Sequence, residues 1–203
     1  WDIVNNNVPN SVRDFWGARG KMEEKGITFS FVYTGDMAFN TAGGTKRGSS
    51  YFSNLDMSIT LDSEKLGLWK GGTLFAYALS DSGGRRLTGE LVGDVQGVNN
   101  IDAPHMTKIF ELWYEQKLFE DRLAVLMGMH DINADFDTNE YGRDLLNGSF
   151  GIQPTLTANT SASVFPSAGP AIRFKIEPNK QWTFLVGVFD GNQGDAEKGN
   201  RHG

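Results

Sequence analysis

The stretch "KIFELWYEQKLFEDRLAVLMGM", residues 108–129, alternates apolar and polar side chains on both sides of a tetrad, Phe119–Arg122. Read as two strands joined by a tight turn, it places Phe110, Leu112, Tyr114 and Leu118 on one face and Glu111, Trp113, Glu115 and Lys117 on the other. The second strand sets Leu123, Val125, Met127 and Met129 against Ala124, Leu126 and Gly128. Strict alternation is the mark of strands, whose successive side chains point to opposite faces. One face is apolar and the other carries full charges, so the fold turns on which of them meets water.

The same period recurs along most of the chain. "ITFSFVYTGD" (27–36) puts Ile27, Phe29, Phe31 and Tyr33 on one side, with Val32 as the exception. "SNLDMSITLD" (53–62) separates Leu55, Met57, Ile59 and Leu61 from Asn54, Asp56, Ser58 and Thr60. "GTLFAYALSD" (72–81) is apolar on both faces, "AIRFKIEP" (171–178) opposes Ile172, Phe174 and Ile176 to Arg173, Lys175 and Glu177, and "QWTFLVGVFD" (181–190) aligns Trp182, Phe184, Val186 and Val188. This predicts about seven strands. Before them, Ser11–Lys25 fits a short helix, with Ser11 as N-cap, Asp14 at the capping-box distance and Gly26 as the stop, weakened by Gly17 and Gly20. The chain divides accordingly into an N-terminal segment, 1–26, and a strand region, 27–203.

Composition narrows the classes. The 203 residues carry a net charge of -6, without the clustered basic face that a nucleic-acid partner requires. With no cysteine there is neither a disulfide framework nor a thiolate metal site. The longest apolar run, Leu74–Leu79, falls far short of the roughly 18 residues of a spanning helix. Trp1–Asn10 contain no basic segment followed by an apolar one, so a secretory leader, if the chain is exported, is expected to have been removed.

The connectors alternate in length. Asp62–Lys70, Phe119–Arg122 and Pro178–Lys180 are short; Met37–Ser50, Asp81–Met106, Asn133–Ala168 and Gly191–Asn200 are long and rich in Gly, Asn, Asp and Ser. All long loops then emerge from one end of the sheet, as in outer-membrane barrels. Strands of about ten residues, aromatics near strand ends on the apolar face (Tyr33, Tyr114, Trp182, Phe110) and rows of charge on the polar face favour an antiparallel transmembrane β-barrel. A soluble β-sandwich that binds carbohydrate is the alternative, with its apolar face turned to a shared core.

"FELWYEQKLFEDRLAVLMG", "DINADF", "NGSFG", "PAIRFKIEPNKQWTFLVGVFDGNQGD" and "NRHG", with "RGKMEEKGITFSFVYTGDMAFNTAGGTKRG" and "LWKGGTLFAYAL" upstream, resemble the carbohydrate-selective porin family of bacterial outer membranes, the OprB type. The likeness runs from about Phe15 to the last residue. It implies an all-β, 16-stranded barrel passing sugars by diffusion, of which this chain would supply the first seven or eight strands. It further implies an outer-membrane location, sugars as permeants, surrounding lipid, no cofactor, and either a monomer or a homotrimer. On that reading Glu111, Trp113, Glu115 and Lys117, with Arg173, Lys175 and Glu177, line the pore. The loop 133–168 would correspond to the inward-folding loop of general porins, bringing Asp135, Asp137 and Arg143 toward the constriction. The competing reading is a solvated wall of mutually paired charges beneath an outward loop.

Catalysis and metal binding have weaker support. Glu111 and Glu115 share a face but stand roughly 13 Å apart along a strand, beyond the 5 to 9.5 Å or so of glycosidase carboxylate pairs. His105, His130 and His202 lack the spacing of a hydrolase or zinc motif and read as turn or interfacial residues. Asp131, Asn133, Asp135 and Asp137 alternate as in a calcium loop, but Phe136 stands where glycine is needed and Gly142 where the bidentate Glu belongs. No enzyme and no metal site is expected.

Overall fold

A computed structural model describes residues 17–139, 141–157 and 159–192. Helix α1 (Ala18–Glu24) starts at Gly17 in the left-handed region (φ 83°) and ends before Gly26 (φ +86°). A side chain at Gly26 would strike Lys65 Cβ at 2.7 Å and Asp62 O at 2.9 Å, so glycine is required where the chain enters the sheet. Ser11 and Asp14, the expected caps, lie outside the described residues.

Seven strands follow in chain order: β1 (Ile27–Asn40), β2 (Gly48–Asp62), β3 (Gly72–Ser82), β4 (Met106–Leu118), β5 (Leu123–His130), β6 (Gly169–Asn179) and β7 (Trp182–Phe189). Each pairs antiparallel with the next in one sheet, β1 to β7. Every predicted strand is present. The first long loop is shorter than the expected Met37–Ser50, because Met37↔Tyr51 through Asn40↔Gly48 continue the β1–β2 ladder and leave only 41–47 outside it. The β4–β5 turn is tight, with Phe119, Glu120 and Asp121 all at positive φ. Asn179 Oδ1 closes the β6–β7 turn by accepting from Gln181 N at 2.9 Å.

Because paired residues in an antiparallel ladder share a face, the register assigns both faces. The polar face carries Thr28, Ser30 and Asp36 of β1, Asn54 and Asp56 of β2, Glu111, Glu115 and Lys117 of β4, and Arg173 and Lys175 of β6. The apolar face carries Phe29, Phe31 and Tyr33, Leu55, Met57 and Ile59, Leu112 and Tyr114, Val125 and Met127, Ile172 and Phe174, and Val186 and Val188.

Phe110 departs from simple alternation. The β3–β4 register jumps from Tyr77↔Glu111 to Ala78↔Ile109, a bulge that gives β4 one extra residue. Phe110 therefore stands on the polar side with Glu111. It is 4% exposed, edge-on to Tyr77 at 5.3 Å and to Phe165 at 6.0 Å, in a cluster with Leu79, Met106 and Ala168. Ile109, 57% exposed, takes the outward place.

Loops cover the polar face at its long-loop end. In the loop 83–105 a π-helical turn, Arg86–Val92, drives Leu87 and Leu91 onto Phe52. Leu91 O there accepts from Thr45 N, Lys46 N and Asn40 Nδ2, and Asn99 Nδ2 donates to Asp36 Oδ2 at 2.7 Å. Both clusters of buried apolar side chains thus lie on the polar side, under loops, while the apolar face stays bare.

The bulge has an energetic signature. Phe110→Ala should destabilise the protein by about 3–5 kcal/mol, the cost of a vacated aromatic core site, and Ile109→Ala by less than about 1.5 kcal/mol. Equilibrium unfolding of the two variants reads the difference, and equal costs would restore uninterrupted alternation.

Candidate functional site

The charges of β4 and β6 stand on either side of β5, whose polar face offers Ala124, Leu126 and Gly128 opposite Lys117, Glu115 and Trp113, and His130 at its end. Glu115, Leu126 and Arg173 form one row across three strands. With no charged side chain intervening, Arg173 Nη1 reaches Glu115 Oε2 at 2.9 Å, an ion pair whose angle falls outside hydrogen-bond geometry. Gly128 (φ +141°) is obligatory here: a Cβ would lie 2.3 Å from Leu112 O and 2.6 Å from Trp113 Cα. Trp113 stacks on Phe75 at 4.8 Å and stands edge-on to His130 at 6.0 Å.

The loop after β5 closes onto this wall. Arg173 Nε donates to Asp135 Oδ2 at 2.8 Å, and the same oxygen lies 2.8 Å from His130 Nε2. His130 Nδ1 is 2.8 Å from Glu111 Oε1, which also accepts from Asp131 N at 2.7 Å. Glu115, Arg173, Asp135, His130 and Glu111 thus form one continuous ionic chain that joins β4, β5 and β6 to the loop 131–168. Imidazole nitrogens facing a carboxylate on each side need two donors, which the imidazolium form supplies. Beyond the chain, Phe136 stands edge-on to Phe189 at 6.0 Å, and Ser163 Oγ donates to His130 O at 2.7 Å.

Burial acts to raise the Asp135 carboxyl, but hydrogen bonds from His130 and Arg173, with the Arg173 charge, hold it below its ordinary value. At Asp131 burial wins: it pushes the carboxyl up to about 7, aided by the Glu111 charge and opposed by the Asn133 N–H and the His130 charge.

The expected pore-lining residues separate into two groups. Glu111, Glu115 and Arg173 belong to the buried chain, beside Trp113. Lys117, Lys175 and Glu177 lie nearer the short turns and are more open, with Lys175 Nζ 2.9 Å from Glu177 Oε2. That pair contributes little to stability, since both groups are well solvated. Arg143 sits on the short 3-10 turn Gly142–Asp144, and its side chain lies outside what is described. Asp135 reaches the wall, whereas Asp137 Oδ2 accepts from Gln153 N within the loop. Asp131 Oδ1 caps Asn133 N, so the three alternating acids of the calcium-like stretch serve three different partners.

His130 was the residue that motif spacing missed. Its signal lay in parity: Ala124, Leu126, Gly128 and His130 alternate, which puts the imidazole on the charged face beside Glu111.

Comparison with known proteins bears on the family and the fold. Residues 46–203 match the carbohydrate-selective porin family, OprB type. Porin B from Pseudomonas aeruginosa is 28% identical over 95% of this chain and 44% of its own length. The high-pH structure of Pseudomonas putida OprB superposes with a TM-score of 0.78 at 25% identity, over 88% of this chain and 44% of that one. The low-pH structure of the same protein gives 0.55 at 20% identity, over 87% and 49%, a likeness of fold alone. The chain spans less than half the length of these relatives. The family match covers most of the sequence, and the chain belongs to the carbohydrate-selective porin family, OprB type.

Proposed function

We propose that the chain forms the first half of a 16-stranded outer-membrane barrel through which sugars diffuse passively. The observation that carries this reading is the contrast between the faces. Phe31, Tyr33, Ile109 and Val188, all 57–72% exposed, stand on the bare apolar face, while the loops bury the polar one. A soluble sandwich would do the reverse and cover its apolar face with a second sheet. Among the described residues none covers it. So much contiguous apolar surface is unsupportable in water and ordinary in lipid.

Paired aromatic groups mark two levels of this face. At the short-turn end Trp69 Nε1 donates to Tyr114 OH at 2.6 Å, and Trp182 stacks on Phe184. Toward the long loops the Tyr33 and Tyr51 hydroxyls meet at 2.5 Å. Amphipathic rings in two bands suit the two interfaces of a bilayer. The polar face then lines the lumen, and the loop 131–168, tied down by the ionic chain, narrows it. Side chains there replace part of a sugar's hydration with hydrogen bonds weak enough to release. No bond is made or broken, and no cofactor enters.

In liposomes carrying the full-length protein, sugars should enter faster than salts of similar size; equal rates would reduce the reading to a general porin. Arg173→Gln leaves Glu115 without its cation and Asp135 with His130 alone, a loss of about 3–5 kcal/mol for a broken buried pair. Single-channel recordings of that variant should show larger, noisier conductance with weaker sugar selectivity, and native traces would mean that the chain does not hold the loop in the lumen.

Asp131 gives a pH test of the same anchoring. Its folded-state pKa of about 7 lies above the ordinary carboxylate value, so its contribution to stability is complete below about pH 4 and is lost as pH rises through 7. Asp131→Asn should gain thermal stability over the native protein as pH rises from 4 to 8. A constant difference across that range would place Asp131 in water.

A further inference from the structure

Loops 83–105 and 131–168 rest on each other as well as on the sheet. Asn100 N donates to Leu146 O at 2.7 Å, Gly148 N to Gly97 O at 3.0 Å, and Gln96 Nε2 to Ile152 O at 3.2 Å. Between them they enclose a cavity of about 520 Å³, within the size range of small-molecule sites. No member of the ionic chain lines it.

Its lining combines unused polar groups with a flat apolar wall. Asp102, 7% exposed, uses Oδ2 to accept from Thr88 N at 2.8 Å and, among the described residues, finds no partner for its buried Oδ1. A buried carboxylate oxygen without a donor is unfavourable until something supplies one. Among the described residues no hydrogen bond or ion pair occupies the Arg85 guanidinium or the Asn100 side-chain amide, both part of the lining. Asn133 lines the cavity from the other loop, and Phe165 supplies an aromatic wall steadied by Phe110 at 6.0 Å.

This set suits a polyol ring. Hydroxyl groups both donate and accept, which matches a carboxylate, a guanidinium and amides at once, and a sugar's C–H face lies against an aromatic. An anion would meet Asp102, and a purely apolar guest would leave Arg85 and Asn100 unsatisfied.

We propose that this cavity is a second saccharide subsite, at the long-loop end of the polar face and separate from the charged wall of β4 and β6. The proposal rests on the porin reading, because it supposes that sugars pass along that face. A sugar captured between the loops would be released toward the wall, raising the local concentration at the narrowest part of the path.

The test is calorimetric titration of the full-length protein in detergent micelles with D-glucose and with its linear trimer. Arg85→Ala and Asn100→Ala should each raise Kd on the order of tenfold, the loss of one hydrogen bond that involves or adjoins a charged group. Gly151→Leu fills the same cavity from a position where an added Cβ meets nothing nearer than 3.6 Å, and it should abolish binding. Thermal unfolding of each variant shows that it is folded. Native Kd in all three folded variants, or no titratable binding to the native protein, would overturn the subsite. Liposome swelling separates the two ideas: swelling by sugar with unchanged Kd leaves the porin reading standing, and a native protein impermeable to sugar removes that reading itself.

Discussion

Phe31, Tyr33, Met57, Ile109, Met127 and Val186 stand on a face of the sheet that no other part of the described chain covers. Apolar side chains in such an array have two stable surroundings, a second protein layer or hydrocarbon. The long loops, the only segments among the described residues able to form a layer, lie on the opposite face, carrying Leu87, Leu91 and Ala168 to pack on Phe52, Leu79 and Phe110. On the proposed reading, with hydrocarbon on one side and loops on the other, the sheet is inverted, its small apolar cores lying on the charged side. Phe110 joins those cores only because one bulged residue in β4 reverses the parity of the strand beyond it.

The ionic chain from Glu115 to Glu111 is the polar counterpart of those cores. Arg173 is 6% exposed, and a guanidinium so placed is costly unless carboxylates compensate it. Glu115 comes from the wall and Asp135 from the loop, so compensating the charge also fixes the loop. His130 continues the same logic, since its imidazole stands between a wall carboxylate and a loop carboxylate. These charges tie the loop to the wall, whereas Lys117, Lys175 and Glu177 are less buried and nearer the short turns, with Lys175 and Glu177 paired to each other. Like-looking polar residues of one face thus differ in whether the loop covers them.

Much of this was legible beforehand. Period two located all seven strands, and the alternation of short and long links placed the loops at one end, because both follow from local backbone geometry. The face of Phe110 was not legible: the adjacent apolar Ile109 and Phe110 interrupt the alternation, but which of the two points outward is set by the register of the partner strand. The extension of β1 to Asn40 was hidden for a similar reason: "MAFNTAGGTKRG" reads as a Gly-rich loop, yet the ladder continues until Gly43 and Gly44 turn it. Of the site, parity gave the charged face, but spacing could not show that Arg173 and Glu115 would meet across Leu126 of β5. The pairing of His130 with Asp135 depends on the path of a long loop, which periodicity does not describe.

If the polar face meets water and the apolar face meets lipid, adjacent residues of one strand stand in opposite surroundings. These 203 residues contain no cysteine, so once any cysteine elsewhere in the full-length protein is replaced, single cysteines can be placed at neighbouring positions on β1 without background labelling. With the full-length protein in native outer membranes, Ser30→Cys should react with a charged, membrane-impermeant thiol reagent, while Phe31→Cys should resist it and report contact with a lipid-phase quencher. Aqueous reactivity at Phe31→Cys together with protection at Ser30→Cys would contradict the account.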